Sequence, residues 1–160
     1  MVLPLARLLA DRIEPETAEL ILQMLMRFRR PALAAAVPHV TQRLLSHQGI
    51  QPVFAIRVLG RAADPRAQDT LRFYIADDKL PVALAAAQAL LACGDKASAR
   101  LLAERLPATI ADRRERAAVA AALEFVHANE PDLGERIVRQ RYLDDSELMQ
   151  QRPWLRRLRN

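Results

Sequence analysis

One stretch of this chain repeats itself. The eighteen residues from Val58, VLGRAADPRAQDTLRFYI, align 31 positions further on with ALLACGDKASARLLAERL from Ala89. Ala55 then falls on Ala86, Val58 on Ala89, Leu59 on Leu90, Asp64 on Asp95, Leu71 on Leu102 and Ile75 on Leu106. Each copy reads as an Ala-rich helix, a turn carrying Asp, and a second, amphipathic helix. A unit of that length cannot bury its apolar face alone, so successive copies have to pack on one another. A third, less regular copy follows in ERAAVAAALEFVHANEPDLGERIVRQRYL. There Leu123 stands opposite Leu90 and Glu130-Pro131 lies near the place of Asp64-Pro65.

The residue types support helices throughout. Of 160 residues, 29 are Ala and 25 are Leu, both strong helix formers, against 4 Gly and 4% aromatics. No segment alternates apolar and polar with period two over a useful length. Hydrophobic content of 51% with 27% charged residues is a globular balance and excludes a disordered chain. Helices are expected near 4–13, 16–29, 31–46, 51–62, 65–76, 80–93, 96–106, 113–128, 131–142 and 145–151, with a short turn around Trp154. Asp64 and Asp95 supply capping acceptors, and Pro31, Pro52, Pro65, Pro81 and Pro131 stand at helix entries, where a missing N–H costs nothing. Gly49 and Gly94 mark helix ends. Pro38 falls inside a helical run and should kink it. PVALAAAQALLAC, from Pro81, has Gln88 as its one polar side chain, so this helix should be buried on several sides. Helix 65–76 puts Arg66, Asp69 and Arg72 on one stripe and Ala67, Leu71, Phe73 and Ile75 elsewhere.

A lone Cys93 excludes an internal disulfide framework, and its apolar helix marks it as a buried, inert thiol. The first residues, MVLPLARLLADRIEP, have no basic leader and no small-residue cleavage site, so no signal peptide is expected. The longest uncharged apolar run, residues 80–94, is short for a bilayer span. A soluble, cytoplasmic protein is the expectation.

The formal charge of +5 and a pI near 10.3 raise the question of nucleic acid. The distribution argues against a general nucleic-acid surface. The net charge is +2 over residues 1–50, +2 over 51–100 and −3 over 101–151, whereas the last nine residues, RPWLRRLRN, carry +4. Most of the excess is therefore a tail.

The junction Val58-Leu59-Gly60-Arg61-Ala62-Ala63-Asp64-Pro65-Arg66-Ala67, repeated more loosely as Ala89-Leu90-Leu91-Ala92-Cys93-Gly94-Asp95-Lys96-Ala97, resembles the "ALG…GDPRA" junction of the short bacterial HEAT repeat, the PBS-lyase HEAT-like repeat. The resemblance covers residues 51–143, with 16–50 as a further helical pair. It implies an all-α, right-handed α-solenoid of stacked antiparallel helix pairs, here residues 1–151 as one domain followed by a basic amphipathic tail, 152–160. Where the family often has Val-Arg at the start of the inner helix, this chain has Val53-Phe54 and Val82-Ala83, which removes an inner-face charge.

Catalytic and metal constellations are weak. His39 and His47 are eight residues apart, whereas shared helical ligands usually sit four apart. His127 lies at a helix C-terminus, where positive charge is favoured. Asp77-Asp78 and Asp144-Asp145 precede helices and read as caps rather than acid–base dyads. The family also includes alkylpurine DNA glycosylases, which pair a basic concave face with aromatics and a carboxylate, and bilin lyases. For the former the candidates are Arg57 and Arg61, one turn apart. Their counterparts 31 positions on are Gln88 and Ala92, and 64 positions on are Ala121 and Phe125, so the basic stripe stops; nothing singles out a bilin pocket.

The expected function is a non-catalytic protein–protein interaction module, an adaptor or scaffold, without cofactor. It would present a concave face built by inner helices 51–62, 80–93 and 113–128 to a protein partner of acidic character. The residues expected to meet that partner are Arg57, Arg61, Gln88, the cluster Arg113, Arg114 and Arg116, and the tail residues Trp154, Arg156, Arg157 and Arg159. The alternative is a nucleic-acid-binding relative of the glycosylases. The tail is expected to be a lid, with Trp154 and Leu158 packed near Ile137, Val138 and Leu148, or else an anchor for a partner or an anionic membrane surface.

Overall fold

A computed structural model describes residues 1–46 and 50–160. His47 and Gly49, read above as a histidine and a helix stop, lie outside the described residues. No strand occurs among the described residues, and the helices pack against one another. In chain order they are α1 (Val2–Arg7, running into a 3-10 turn at Leu8–Ala10), α2 (Pro15–Leu25), α3 (Arg30–Leu33, then a 3-10 turn at Ala34–Ala36), α4 (Val37–Leu45), α5 (Pro52–Ala62), α6 (Gln68–Ile75, entered through a 3-10 turn at Pro65–Ala67), α7 (Leu80–Ala92), α8 (Ser98–Ala103), α9 (Arg113–Asn129), α10 (Pro131–Ile137, leaving through a π turn at Val138–Tyr142), α11 (Ser146–Met149) and α12 (Pro153–Arg159).

Proline sets most of these starts. Eight of the ten prolines stand at the first or second position of a helix or 3-10 turn, where the ring's fixed φ suits the helix. Pro38 is among them, so the kinked helix expected over 31–46 is two helices with a 3-10 step between. Asp112 and Asp145 accept the N–H of Glu115 (2.8 Å) and Leu148 (2.9 Å), capping α9 and α11. Asp77 accepts Lys79 N–H at 2.8 Å, bracing the turn before α7 rather than the helix itself.

Four helices pack in a row: α2 against α5, α5 against α7, and α7 against α9. α7 is the centre of the molecule, with α6 and α8 also packed on it, and α10 lies on α9. One apolar core runs from Val2 to Leu155. Positions matched by the 31-residue offset have matching burial: Ala55 and Ala86, Leu59 and Leu90, and Leu71 and Leu102 are all fully buried, as is Leu123. Small side chains make the row tight. A Cβ added at Gly60 would lie 2.9 Å from the Ala89 Cβ, so α5 and α7 meet at a distance that only Gly allows. Gly134 does the same for α10, 2.9 Å from the Cα of His127. Two details differ from expectation. Phe73 is 60% exposed, and α7 keeps one solvent stripe of Pro81, Leu84, Gln88, Leu91 and Ala92, all of them exposed or half-buried.

Successive helix pairs are also tied by a ladder of polar side chains. Buried Arg43 donates to the carbonyls of Asp11 and Ile13, each at 3.2 Å. Tyr74 Oη–H donates to Leu44 O at 2.9 Å, Arg105 Nη2 to Ala76 O at 2.9 Å, and the Tyr142 hydroxyl to Pro107 O. Arg43, Tyr74 and Arg105 are 31 residues apart, and the acceptors Ile13, Leu44, Ala76 and Pro107 follow at 31, 32 and 31. Each acceptor lies near or just past the end of a helical segment, where carbonyls have no partner along the chain. Burial pushes both tyrosine hydroxyls above their ordinary pKa, helped at Tyr74 by Asp77, so they remain donors.

The two central helices end alike. α7 closes on Gly94 at φ +91°, with Gly94 N–H bonded to Leu91 O (3.0 Å) and Asp95 N–H to Leu90 O (2.9 Å), a Schellman pair. α5 closes on Ala63 at φ +51°, the same place in the repeat, with its N–H shared between Leu59 O and Gly60 O at 3.1 Å. A left-handed Ala costs about 1–2 kcal/mol, whereas Gly takes that conformation freely and loses about 0.4–1 kcal/mol through its looser unfolded chain. Ala63→Gly is therefore expected to stabilise the protein by about 0.5–1 kcal/mol in denaturant melts. Gly94→Ala is expected to destabilise it by a similar amount, since a Cβ there meets open space and only the strain remains. A destabilised Ala63→Gly would show that the two helix ends are not equivalent.

Candidate functional site

The row formed by α2, α5 and α7 carries both exposed apolar side chains and arginines without an ion pair among the described residues. Apolar packing fixes which side chains face out: α5 buries Ala55, Ile56, Val58, Leu59 and Ala62, which leaves Arg57 and Arg61 outside, one turn apart. On α7 the corresponding stripe carries Gln88 and Leu91, the latter 36% exposed. On α2, Ala18, Ile21, Leu22 and Leu25 face inward, so Leu20 (57% exposed) and Met24 (41%) face out, again one turn apart. Arg61 Nε donates to Phe28 O at 3.2 Å, which holds the last turn of α5 beside the end of α2. The Gly60–Ala89 approach holds the same turn beside α7. Neither α5 nor α7 contains a carboxylate. Among the described residues Arg57 and Arg61 form no ion pair, so these cations are answered only by solvent and one carbonyl.

The other residues expected to meet a partner divide into free and engaged. Gln88, Arg113 and Arg114 are exposed, as are Arg156, Arg157 and Arg159 on α12. Arg116 is not free: its Nε lies 3.2 Å from Asp145 and its Nη1 2.9 Å from Glu147, with the side chain 18% exposed, so it ties α9 to α11. The outer stripe is engaged as well. Arg66 closes on Asp64 at 2.7 Å, and Arg72 reaches Asp69 and Asp95. The Arg66 side-chain and backbone hydrogen bonds hold the Asp64 carboxyl below its ordinary pKa.

Trp154 is not available to a partner either. It is 6% exposed, its ring stacked on His127 with centroids 3.9 Å apart and planes 6° apart, and its Nε1–H donates to Glu124 at 2.9 Å. Arg152 adds an ion pair to the same carboxylate at 3.5 Å, and Glu135 lies 4.0 Å from His127 Nε2. The tail is a helix held on α9 through Trp154, and Trp154 and Leu155 belong to the same apolar core as Ile137, Val138 and Leu148, with Leu158 packed against it. Leu155 is fully buried and Leu158 partly so. Arg156, Arg157 and Arg159 face solvent, as do Pro153 and Asn160.

Cys93 is buried at the end of α7, and burial, then the neighbouring Asp64 charge, pushes its thiol up. That combination holds the sulfur as the protonated, weakly nucleophilic thiol. Among the described residues no three His, Cys, Asp or Glu side chains gather as metal ligands would, and no helix is long and apolar enough to cross a membrane. A groove of about 440 Å³ between α8 and α10 is spanned by the Arg100–Glu130 ion pair at 2.7 Å. Another, of about 600 Å³, lies at the starts of α7 and α9 between Lys79, Pro81 and Arg114. Both are open and mix charges of either sign.

A clamped tail has a direct readout, since Trp154 is the only tryptophan. Its emission is expected to be blue-shifted and protected from aqueous quenchers in the free protein. Burying such a ring removes on the order of 200 Å² from water, worth a few kcal/mol before ordering entropy. Deleting residues 153–160 is therefore expected to lower stability by about 2–3 kcal/mol. A solvent-like emission would show that α12 is detached.

Comparison of the chain with protein-family models, with curated proteins and with solved structures finds no match, so the reading of this surface rests on its own geometry.

Proposed function

We propose that the chain is a non-catalytic protein-interaction module, an adaptor or scaffold built as a right-handed α-solenoid of HEAT-like helix pairs. The 31-residue register, the row α2–α5–α7–α9 and the side-chain ladder between pairs support the solenoid reading. Such a chain offers a partner an extended face whose shape is set by repeat-to-repeat packing rather than by loops. The observation that carries the functional reading is the solvent side of α2, α5 and α7. There Leu20, Met24 and Leu91 stand exposed on α2 and α7, the helices packed on the α5 that carries Arg57 and Arg61. Exposed apolar groups beside unpaired cations are what an interface leaves behind when its partner is absent. On this reading the face is α2–α5–α7, one helix nearer the N-terminus than α5–α7–α9, since Glu124 and His127 of α9 are engaged by the tail.

The test is a photo-crosslinking side chain at Gln88, with one at exposed Arg139 as the comparison, in cells of the source organism. Gln88 is expected to give one or a few discrete protein adducts, lost in the Arg57→Glu/Arg61→Glu variant while its melting temperature stays within a few degrees. Adducts to nucleic acid would favour the glycosylase-like alternative, whose binding would also fall steeply with salt. Equal adducts from both positions would remove the interface from this face.

A further inference from the structure

We infer that the segment this face receives is an acidic amphipathic α-helix of a partner protein, lying along α5 with its apolar side chains against Leu20, Met24 and Leu91 and its carboxylates on Arg57 and Arg61. The inference rests on the interaction-module reading and adds the chemistry of the partner.

The backbone of the face decides between helix and extended peptide. The elements of this face are helices, whose interior N–H and C=O groups are bonded within the helix, so no strand edge is offered. An extended segment would bury its backbone polar groups without partners, whereas a helix brings its own hydrogen bonds. The side chains agree. Leu20 and Met24 stand one turn apart on α2, and Arg57 and Arg61 one turn apart on α5, so each pair repeats every ~6 Å along its axis. A docked helix presents its own side chains at that interval, with apolar and acidic stripes side by side.

Charge selects the acidic helix. α5 and α7 hold no carboxylate over residues 52–62 and 80–92; of those on α2, exposed Glu16 lies one turn before Leu20 on the same stripe and Glu19 beside it, both in the first half of the helix and away from the end that Arg61 touches. Arg57 and Arg61 therefore have no competitor on their own helices. A nucleic acid fits less well, since two cations framed by Leu, Met and Leu leave phosphates little to replace their counterions and bury nothing of the apolar side chains.

The probe is a fluorescein-labelled synthetic 18-residue helical peptide with a Leu stripe and Glu residues at i, i+4 beside it. Its companions carry Lys in place of Glu or Ser in place of Leu, and a duplex DNA and phosphatidylserine vesicles run alongside. The full chain is expected to bind the Glu/Leu peptide at least tenfold more tightly than either companion. Arg57→Glu/Arg61→Glu is expected to lose tenfold or more for that peptide and to gain for the Lys peptide. Leu20→Ser/Met24→Ser, both already solvent-exposed, is expected to lose about fivefold with an unchanged melt. Equal binding of the Glu and Lys peptides overturns the inference, as does indifference to the arginine reversal, or DNA or vesicle binding that is stronger and depends on the same arginines. If Gln88 still crosslinks to a discrete protein while the Glu/Leu peptide is not preferred, the partner chemistry is wrong and the module reading stands. If neither holds, both fall.

Discussion

Each helix pair in this chain reaches back and ties itself to the pair before it. Arg43, Tyr74, Arg105 and Tyr142 each place a donor on a carbonyl near the end of a helical segment about 30 residues earlier, where the backbone has none of its own to offer. Two needs are met by one bond. The terminal carbonyl would otherwise need a donor from solvent or elsewhere in the protein, and the buried tyrosine hydroxyls would otherwise lack an acceptor. A hydrogen bond has a set length and direction, so each rung also fixes the level at which one pair sits on the next. Apolar burial drives the packing, but it is non-directional and tolerates sliding; the rungs do not.

With the level fixed, the close approaches become possible. Gly60 can face Ala89, and Gly134 can face His127, only if the helices stop at one height. That tight row leaves α7 with four helical neighbours and a single solvent stripe. The same constraint sets the candidate interface, because stripes on neighbouring helices line up only when their register is held. Arg61 joins both roles: its Nε is spent on Phe28 O, which seats the end of α5 beside the segment that follows α2, while its side chain stays exposed. At the C-terminal end α12 closes the row, with Trp154 against His127 and Glu124, and turns its arginines to solvent.

The apolar half of this account is legible in the residues alone. Leu59, Leu90 and Leu123 are equivalent core positions, and Asp64 and Asp95 each accept the N–H two residues on, Asp64 capping the 3-10 turn before α6 and Asp95 bracing the turn before α8, because spacing and side-chain type carry that information. The ladder is harder to read, for its acceptors are backbone carbonyls, which no residue type announces, and its donors alternate between Arg and Tyr. The spacing of Arg43, Tyr74 and Arg105 was a signal, but only a structure shows that a surface-type arginine is buried. Arg116 and Trp154 look like partner-binding residues in sequence because their partners, Asp145 and Glu124, lie about 30 residues away. Leu20, Met24 and Phe73 stand off the buried stripes of α2 and α6, so their exposure follows the periodicity although their side chains are apolar.

If the rungs hold the pairs in register, removing one should loosen its two neighbours and leave distant pairs alone. Native-state hydrogen exchange on Tyr74→Phe, which deletes the hydroxyl and keeps the ring, measures this directly. The rung is worth about 1–1.5 kcal/mol, with the freed carbonyl adding to the loss. The account predicts roughly tenfold faster exchange in α4 and α6, the helices joined by Tyr74 and Leu44, with α9 and α10 unchanged. Exchange that accelerates equally in every helix, or in none, would contradict it.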